Sequence, residues 1–165
     1  MEEMQVYIVN LGKYNEGESV GAWFTLPVDF DEVKERIELN REYEEYAIHG
    51  YELPFEISEY TSIEELNRLC EMVSELPEYI QEELHDLLTY FSSIEDLCEH
   101  QDDIISYPGC EDMEDVARYI LEESGQLESI PPDLQDFFDY DAYGNHLYIG
   151  GNFLETNHGV FEITY

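Results

Sequence analysis

The sequence predicts an α+β fold with a helix-rich middle and mixed sheet-and-helix ends. Strand-like runs of β-branched and aromatic residues occur near both ends, and apolar residues recur at helical spacing between about 62 and 103. Fourteen Tyr, eight Phe and a 43% hydrophobic content supply apolar surface for folded cores, despite a net charge of -35 on 165 residues. We therefore predict three small domains: an N-terminal α+β domain (1–61), a helical bundle (62–103) and a C-terminal α+β domain (104–165).

The N-terminal domain is predicted to contain three strands and one helix. The strand-like segments are residues 5–9, 21–25 and 46–49. Residues 12–17, rich in Gly and Asn, are predicted to form a loop. Asp29 is the expected N-cap of the helix, with Glu32 three residues later, and the helix is expected to end near Asn40. Turn residues around Gly50 are expected to close the third strand.

Three helices are predicted in the middle domain. Ser62 begins the first in a capping box with Glu65, Pro77 begins the second, and Ser93 caps the third. The predicted inward faces are Ile63, Leu66, Cys70 and Val73 in the first helix, and Ile80, Leu84, Leu87, Leu88 and Phe91 in the second. The predicted outward faces are Glu64, Arg68, Glu71 and Glu75, and Glu78, Glu82 and Asp86. Short connections predict antiparallel neighbours and hence a small bundle.

The C-terminal domain is predicted to follow the break at Pro108 and Gly109. A helix is expected over residues 111–123, and its predicted inward face is Met113, Val116, Ala117 and Ile120. A further helical stretch is expected from Pro131 to Phe138. Residues 147–149 and 159–165 are predicted to be strands.

The charge distribution is the main indication of function. Residues 1–68 contain 17 Asp/Glu and five Lys/Arg, whereas residues 69–165 contain 24 Asp/Glu and a single Arg118. Exposed helices normally mix Lys and Arg with Glu, so a simple solvated exterior explains this pattern poorly. Adaptation to high salt is disfavoured because Glu outnumbers Asp by 29 to 12. A protein with so strong a negative field is expected to attract a positively charged partner.

Several classes of function are disfavoured. The three cysteines lack CxxC spacing, the five histidines lack metal-ligand spacing, and no nucleotide-binding or nucleophile motif occurs. Residues 139–150 begin like a calcium loop, but Gly150 stands where a bidentate Glu is required. Basic patches are absent, which argues against nucleic-acid binding. We expect no catalysis, cofactor or metal, although an unrecognised pair of catalytic carboxylates remains the enzymatic alternative.

The localisation expected from the sequence is cytoplasmic. The cysteine usage fits buried thiols in a reducing compartment. The N-terminal residues from Met1 lack the basic region and apolar run of a signal peptide. No apolar stretch approaches the roughly 20 residues of a membrane span.

Two binding functions remain: imitation of DNA toward a nucleic-acid-binding groove, and an acidic binding module or chaperone for another basic protein. Duplex DNA carries one charge per about 1.7 Å, so 35 charges correspond to roughly 60 Å, or about 18 base pairs. Carboxylates four residues apart on a helix are separated by about 6 Å, which is the order of the phosphate spacing. The candidate phosphate-mimicking, partner-binding carboxylates are Glu64, Glu71, Glu75, Glu78, Glu82, Glu83, Asp86, Glu95, Asp96, Glu99, Asp102, Asp103, Asp112, Glu114, Asp115, Glu122, Glu123, Glu128, Asp133 and Asp136.

The sequence also resembles the ArdA antirestriction family over nearly its whole length, and in particular the members carried on conjugative transposons of Gram-positive bacteria. The similar segments are 5–17, 21–24, 46–52, the Tyr143-Gly144 pair, Gly150, Phe153 and 158–161, together with the acidic stretch 120–144. Asn145-His146 departs from the Arg-Asp pair that relatives often carry after Tyr143-Gly144.

The resemblance implies an elongated, three-domain, homodimeric mimic of bent B-form DNA. Such proteins occupy the DNA-binding groove of type I restriction–modification enzymes, so that an incoming mobile element escapes cleavage, and the methyltransferase activity can be blocked as well. The resemblance also implies dimerisation through the C-terminal domain. The apolar residues Val116, Tyr119 and Ile120 are candidates for that interface, with core packing as the alternative.

Overall fold

The computed structural model describes residues 3–164 and has a mixed α+β architecture. The described residues form two small antiparallel three-stranded sheets and nine α-helices. The chain divides into two compact units, Met1–Cys98 (unit 1) and Glu99–Tyr165 (unit 2). The α+β class is therefore confirmed. The finer division into three domains, with a boundary near residue 61, stays a prediction.

The sheet of unit 1 contains the three strands expected from the sequence. They are β1 (Gln5–Asn10), β2 (Gly21–Thr25) and β3 (Tyr46–Glu52), in the order β2-β1-β3. Strand β3 continues through Gly50 rather than ending there, because Gly50 pairs with Tyr7 before a bulge shifts the register at Ile8. Val6, Ile8 and Phe24 are buried on one face of the sheet.

Unit 1 also contains six short helices. They are α1 (Leu11–Asn15), α2 (Phe30–Arg36), α3 (Ile63–Ser74), α4 (Glu78–Glu82), α5 (Leu84–Leu87) and α6 (Ile94–Glu99), with a 3₁₀ turn at Leu88–Tyr90. The predicted caps are confirmed: Asp29 accepts from Asp31 N at 3.0 Å, Ser62 from Glu65 N at 3.1 Å. Helix α3 buries the four residues predicted to face inward.

The buried amide of Asn10 accounts for two differences from the predicted N-terminal elements. The predicted loop 12–17 is wrong for residues 12–15, because Asn10 Oδ1 accepts from Lys13 N at 3.1 Å and caps α1, whereas residues 16 and 17 form a turn. The predicted end of α2 near residue 40 is also wrong, because the chain leaves the helix at Ile37 and Glu38 adopts a φ of 61°. Asn10 Nδ2 donates to the carbonyl oxygens of Ile37 at 3.0 Å and Glu38 at 3.2 Å and holds this turn.

The single helix predicted to begin at Pro77 is wrong, because the chain breaks at Glu83. Helices α4 and α5 lie on either side of that residue, whose φ and ψ of -118° and 23° are not helical. The predicted inward residues are nevertheless buried, except Leu88, which is half-buried. The hydrophobic pattern identified the face correctly, but it did not reveal the interruption.

Unit 2 contains a second sheet and three helices. The strands are β4 (Ile104–Tyr107), β5 (Phe153–Thr156) and β6 (Gly159–Ile163), in the order β4-β6-β5. The helices are α7 (Met113–Ser124), α8 (Pro132–Gln135) and α9 (Tyr140–Gly150), with 3₁₀ turns at Gln101–Asp103 and Gln126–Ser129. Strand β6 confirms most of the prediction for 159–165, and Tyr165 lies outside the described residues. Strands β4 and β5 were not predicted.

The strand predicted at 147–149 is wrong, because these residues lie in α9. Asp139 caps this helix by accepting from Ala142 N at 3.0 Å. Helices α7 and α9 pack so closely that a Cβ atom at Gly144 would lie 2.5 Å from the carbonyl oxygen of Met113. Packing against α7 therefore overrides the strand propensity of the Leu-Tyr-Ile triplet.

The core of unit 2 forms around Tyr107, Cys110, Met113, Val116, Phe153 and Val160. Met113, Val116 and Ala117 are buried, as predicted for the inward face of α7. Ile120 is half-buried against this core, whereas the neighbouring Leu121 is fully buried. None of the described helices is long and apolar enough to cross a membrane.

Candidate functional site

Most of the candidate carboxylates lie at the surface of their unit. Fifteen of the twenty are exposed: Glu64, Glu71, Glu75, Glu78, Glu82, Asp86, Glu99, Asp102, Asp112, Glu114, Glu122, Glu123, Glu128, Asp133 and Asp136. Glu95, Asp96, Asp103 and Asp115 are half-buried. The exposed set belongs to both units, so neither unit alone carries the acidic surface.

Glu83 is the exception among the candidate carboxylates. Its side chain is 8% exposed and lies at the break between α4 and α5. A buried carboxylate does not present its charge to an incoming partner. The interruption also places Glu82 and Asp86 on different helices, so the regular spacing expected for Glu78, Glu82 and Asp86 applies only to the first two.

Three of the candidate carboxylates also hold helix ends. Asp112 Oδ1 accepts from Asp115 N at 3.0 Å, and Asp115 Oδ2 accepts from Glu111 N at 2.9 Å, so the pair caps the start of α7 reciprocally. Asp96 Oδ2 accepts from Ser92 N at 3.0 Å ahead of α6. These acids stabilise backbone N–H groups that no helical carbonyl satisfies.

Arg68 is shared between two carboxylates of unit 1. Its guanidinium donates to Glu65 at 2.6 Å and 2.9 Å and also to Glu95. These hydrogen bonds hold the pKa of both carboxyl groups below the ordinary glutamate value. All three side chains are more than 40% exposed, so solvent screens much of this interaction.

Four of the other five cations lie against aromatic rings. The contacts are Lys13 over Tyr43 at 5.5 Å, Lys34 over Phe30 at 5.8 Å, Arg36 over Phe24 at 4.4 Å and Arg118 over Tyr140 at 4.2 Å. Lys13 also pairs with Glu38 at 3.2 Å, Arg36 with Glu32 at 3.6 Å and Arg118 with Glu114 at 3.8 Å. Within the described part of the chain, five of the six basic residues, all except Arg41, are therefore engaged, and most carboxylates have no cation to neutralise them.

The two 12-residue helices, α3 and α7, leave their C-terminal ends without positive charge. Helices α3 and α7 have acidic residues in the first turn, where the helix dipole favours them, but no basic residue in the last turn. Glu122 and Glu123 occupy the last turn of α7 instead, just before Gly125 ends the helix with a φ of 71°. Negative charge is therefore concentrated at an end where the dipole is itself negative.

The candidate dimer residues differ in exposure. Val116 is fully buried in the core of unit 2, and Ile120 packs partly against that core. Tyr119 is 49% exposed, although its ring meets that of Tyr107 edge-on at 5.8 Å. Sequence reasoning missed the most exposed apolar side chains of this unit, Phe137 and Ile149. The exposure of Ile149 could not be recognised because residues 147–149 were predicted to be a strand.

The thiols and the exposed carboxylates differ in the chemistry they offer. Burial raises the pKa of the thiols of Cys70, Cys98 and Cys110, which disfavours the nucleophilic thiolate. Within residues 3–164, no group of three or more His, Cys, Asp or Glu is arranged to hold a metal ion. What the arrangement provides chemically is a dense set of hydrogen-bond acceptors for Lys and Arg side chains.

Comparison with known families gives one match. A family model described as Antirestriction protein (ArdA) matches residues 6–162, which is nearly the whole chain and includes both units. No curated protein matches the chain.

Proposed function

The chain belongs to the ArdA family of antirestriction proteins, and from this premise we propose that its carboxylates imitate the phosphates of B-form DNA. The proposed target is the DNA-binding groove of a type I restriction–modification enzyme. An enzyme whose groove holds this protein cannot bind DNA, so restriction is blocked, and modification by the methyltransferase core is blocked as well. A mobile element entering the cell would thereby escape cleavage.

The observation that carries the proposal is the surplus of exposed carboxylates without cationic partners. The chain has 41 acidic and six basic residues, and five of those basic residues already contact rings or carboxylates of the chain. A groove that binds DNA offers Lys and Arg side chains to phosphates. Exposed carboxylates accept the same charge-assisted hydrogen bonds. The inhibitor would thus compete with DNA for the same donors without any chemical step.

Inhibition on this mechanism is distributed over many contacts. Each exposed ion pair contributes about 0.2–1 kcal/mol and is screened by salt. The acids that also cap helices, such as Asp112 and Asp115, remain available through the carboxylate oxygen not used in the cap. Glu83 is not included among the proposed contacts because it is buried.

We further propose that the chain acts as a homodimer assembled through unit 2. The family resemblance implies this interface, and the exposed apolar residues of unit 2 support it. They are Ile105, Tyr119, Leu134, Phe137, Tyr148 and Ile149. Val116 is excluded from the proposed interface because it lies in the core. Sedimentation of the wild type and of a Phe137→Asp variant tests the assignment, since a charge at the interface should yield the monomer.

A competition titration tests the proposed mechanism. Purified type I methyltransferase is bound to a labelled duplex containing its target and is then titrated with this protein at two salt concentrations. Stoichiometric displacement at sub-micromolar protein, weaker at the higher salt, is the expected result. Displacement no better than by polyglutamate of equal charge would reject DNA mimicry toward that enzyme. It would favour an acidic module that binds another basic protein.

A further inference from the structure

The open face of the unit 1 sheet carries two aromatic rings beside a glycine. In the sheet register, Tyr7 lies opposite Trp23 on β2 and opposite Gly50 on β3. Directly opposed residues of antiparallel strands point to the same face. The alternate residues Val6 and Ile8 are buried on the other face. Tyr7, Trp23 and Gly50 therefore form one row, which we name the aromatic platform.

The aromatic platform is accessible. The ring centroids of Tyr7 and Trp23 are 5.5 Å apart, the ring planes are tilted by 53°, and Trp23 is 46% exposed. A Cβ atom added at Gly50 would lie 3.6 Å from Trp23 Cη2, so the indole extends over bare backbone at this position. Because Gly50 has no side chain, nothing at this position stands beside the indole ring of Trp23.

Carboxylates border the aromatic platform. In the next row of the sheet Gln5 lies between Thr25 and Glu52, and Gln5 Nε2 donates to Glu3 Oε2 at 3.4 Å. Glu52 is exposed and follows Gly50 by two residues on the same face, about 7 Å along the strand. A planar cation that lies on the indole can therefore reach a carboxylate at its edge.

The chain's own cations show which group suits such a ring. Four of its six cations lie over an aromatic face within 4.2–5.8 Å. Trp is the strongest of the aromatic residues in this interaction. Among residues 3–164, however, no Lys or Arg lies over Trp23 or Tyr7. The indole of Trp23, which belongs to the residue type that binds cations most strongly, is therefore open to a cation of an external partner.

We propose that the aromatic platform and Glu52 form a subsite for an arginine side chain of a basic protein partner. The guanidinium lies flat on the indole of Trp23 and donates an N–H to the carboxylate of Glu52. Arg fits this geometry better than Lys because it is planar, is more weakly hydrated and presents N–H donors in its own plane. Taking the restriction–modification enzyme as that partner rests on the proposed function, whereas the chemistry of the subsite does not.

The position of the only tryptophan makes a direct test available. Trp23 is the single Trp of the sequence, so selective excitation of indole reports on this surface alone. The full chain is titrated with capped hexa-arginine and, separately, with capped hexa-lysine. We expect hexa-arginine to change the Trp23 emission at a concentration about two- to fivefold lower than hexa-lysine, as a stacked cation at an exposed site predicts. Equal responses to the two peptides would overturn the proposal.

Two charge-matched variants separate the subsite from the general negative field. Glu52→Gln and Glu155→Gln remove the same charge from a strand, one beside the aromatic platform and one on β5 of unit 2. Glu52→Gln should weaken the hexa-arginine response several-fold, whereas Glu155→Gln should leave it nearly unchanged. Equal weakening by both would show that the peptide senses only the overall charge, which would also overturn the proposal.

A second assay asks whether the enzyme uses the subsite. Trp23→Leu is compared with Tyr60→Leu, which removes another exposed aromatic ring of unit 1, in displacement of DNA from the methyltransferase. Trp23→Leu should displace DNA about two- to fivefold less well, and Tyr60→Leu should match the wild type. Equal potency of the two variants would show that no arginine of the enzyme occupies the subsite. Failure of the wild type to displace DNA would reject the proposed function, and the peptide titration would still decide the subsite.

Discussion

Units 1 and 2 carry similar charge densities but differ in the contacts that stabilise them. Residues 1–98 contain 25 acidic and five basic residues, and residues 99–165 contain 16 acidic and one basic residue. In unit 1, polar contacts stabilise the backbone and some of the acidic side chains. They include the hydrogen bonds that the Asn10 amide donates to the backbone and the bridge from Arg68 to Glu65. Unit 2 has Arg118 alone, and it depends on its apolar core and on the close contact of α7 with α9.

The comparison shows that cationic partners are not required for such a chain to fold. Sixteen carboxylates with one cation still surround a closed core in unit 2, because the apolar side chains are on the inner face of α7 and the acids on its outer face. Charge repulsion between exposed groups is weak in water and is further reduced by salt. Each unit should therefore be most sensitive to a different kind of substitution.

The largest effect is expected from removing the buried amide of unit 1. Asn10→Ala deletes two donated hydrogen bonds and one accepted hydrogen bond at a fully buried position. The free energy of unfolding should fall by about 3 kcal/mol, since each lost bond leaves a polar backbone group unsatisfied. Urea unfolding followed by Trp23 emission measures this. The control Asn40→Ala removes an exposed amide with similar local bonds and should cost less than about 1 kcal/mol.

In unit 2 the largest loss of stability is expected from a substitution that disturbs the packing of two helices. Gly144→Ala would place a methyl carbon 2.5 Å from Met113 O, so α7 and α9 would have to separate. We expect a loss of about 2 kcal/mol in urea unfolding followed by far-ultraviolet circular dichroism. Gly150→Ala in the same helix meets no atom within 4 Å and should be neutral or slightly stabilising. A neutral or stabilising effect of both variants would show that helix propensity rather than the close contact governs this site.

A third prediction compares the acidic surfaces as inhibitors. Neutralising Glu78, Glu82 and Asp86 in unit 1, or Glu122, Glu123 and Glu128 in unit 2, should each weaken DNA displacement by about 1 kcal/mol, or about fivefold. The loss is graded because each exposed contact contributes little. The displacement titration at two salt concentrations measures both. Abolition of inhibition by a single exposed Glu→Gln change would instead indicate a discrete site.

The smallest effect is expected from the ion pairs themselves. Arg68→Gln should lower the melting temperature by only about 1–3 °C at low salt, and less at high salt. Because Arg68 lowers the carboxyl pKa of Glu65 and Glu95, the stabilisation is complete above the ordinary value of 4.5 and is lost as the pH falls through the lowered values. The difference between variant and wild type should therefore vanish in acid. A difference that persists at pH 2 would mean that Arg68 acts through packing.

Sequence patterns predicted those parts of the fold that depend on local chemistry. Ser62, Asp29 and Ser93 were recognised as caps, and the inward face of α3 was identified in full. These features depend on neighbours within four residues, which a sequence displays directly. The same holds for the β1 and β2 strands, whose runs of β-branched and aromatic residues are evident in the sequence.

Two of the features that were missed depend on residues far apart in the chain. Strand β4 is only four residues long and exists through its pairing with β6, more than fifty residues later. Helix α9 contains three residues that favour strands, and the contact of Gly144 with Met113 decides its conformation. Fifteen of the twenty candidate carboxylates are exposed, but the burial of Glu83 follows from the break between α4 and α5, which the sequence did not reveal.

The uncompensated C-terminal end of α7 links binding to stability. The last turn holds Glu122 and Glu123 where the dipole would favour positive charge, so the free protein retains an unfavourable interaction in its native state. A Lys or Arg of a bound partner placed there would remove that interaction. By thermodynamic linkage, any cation that prefers the folded chain raises its melting temperature. The partner, or polyamines in its absence, would then supply the positive charge that the last turn of α7 lacks.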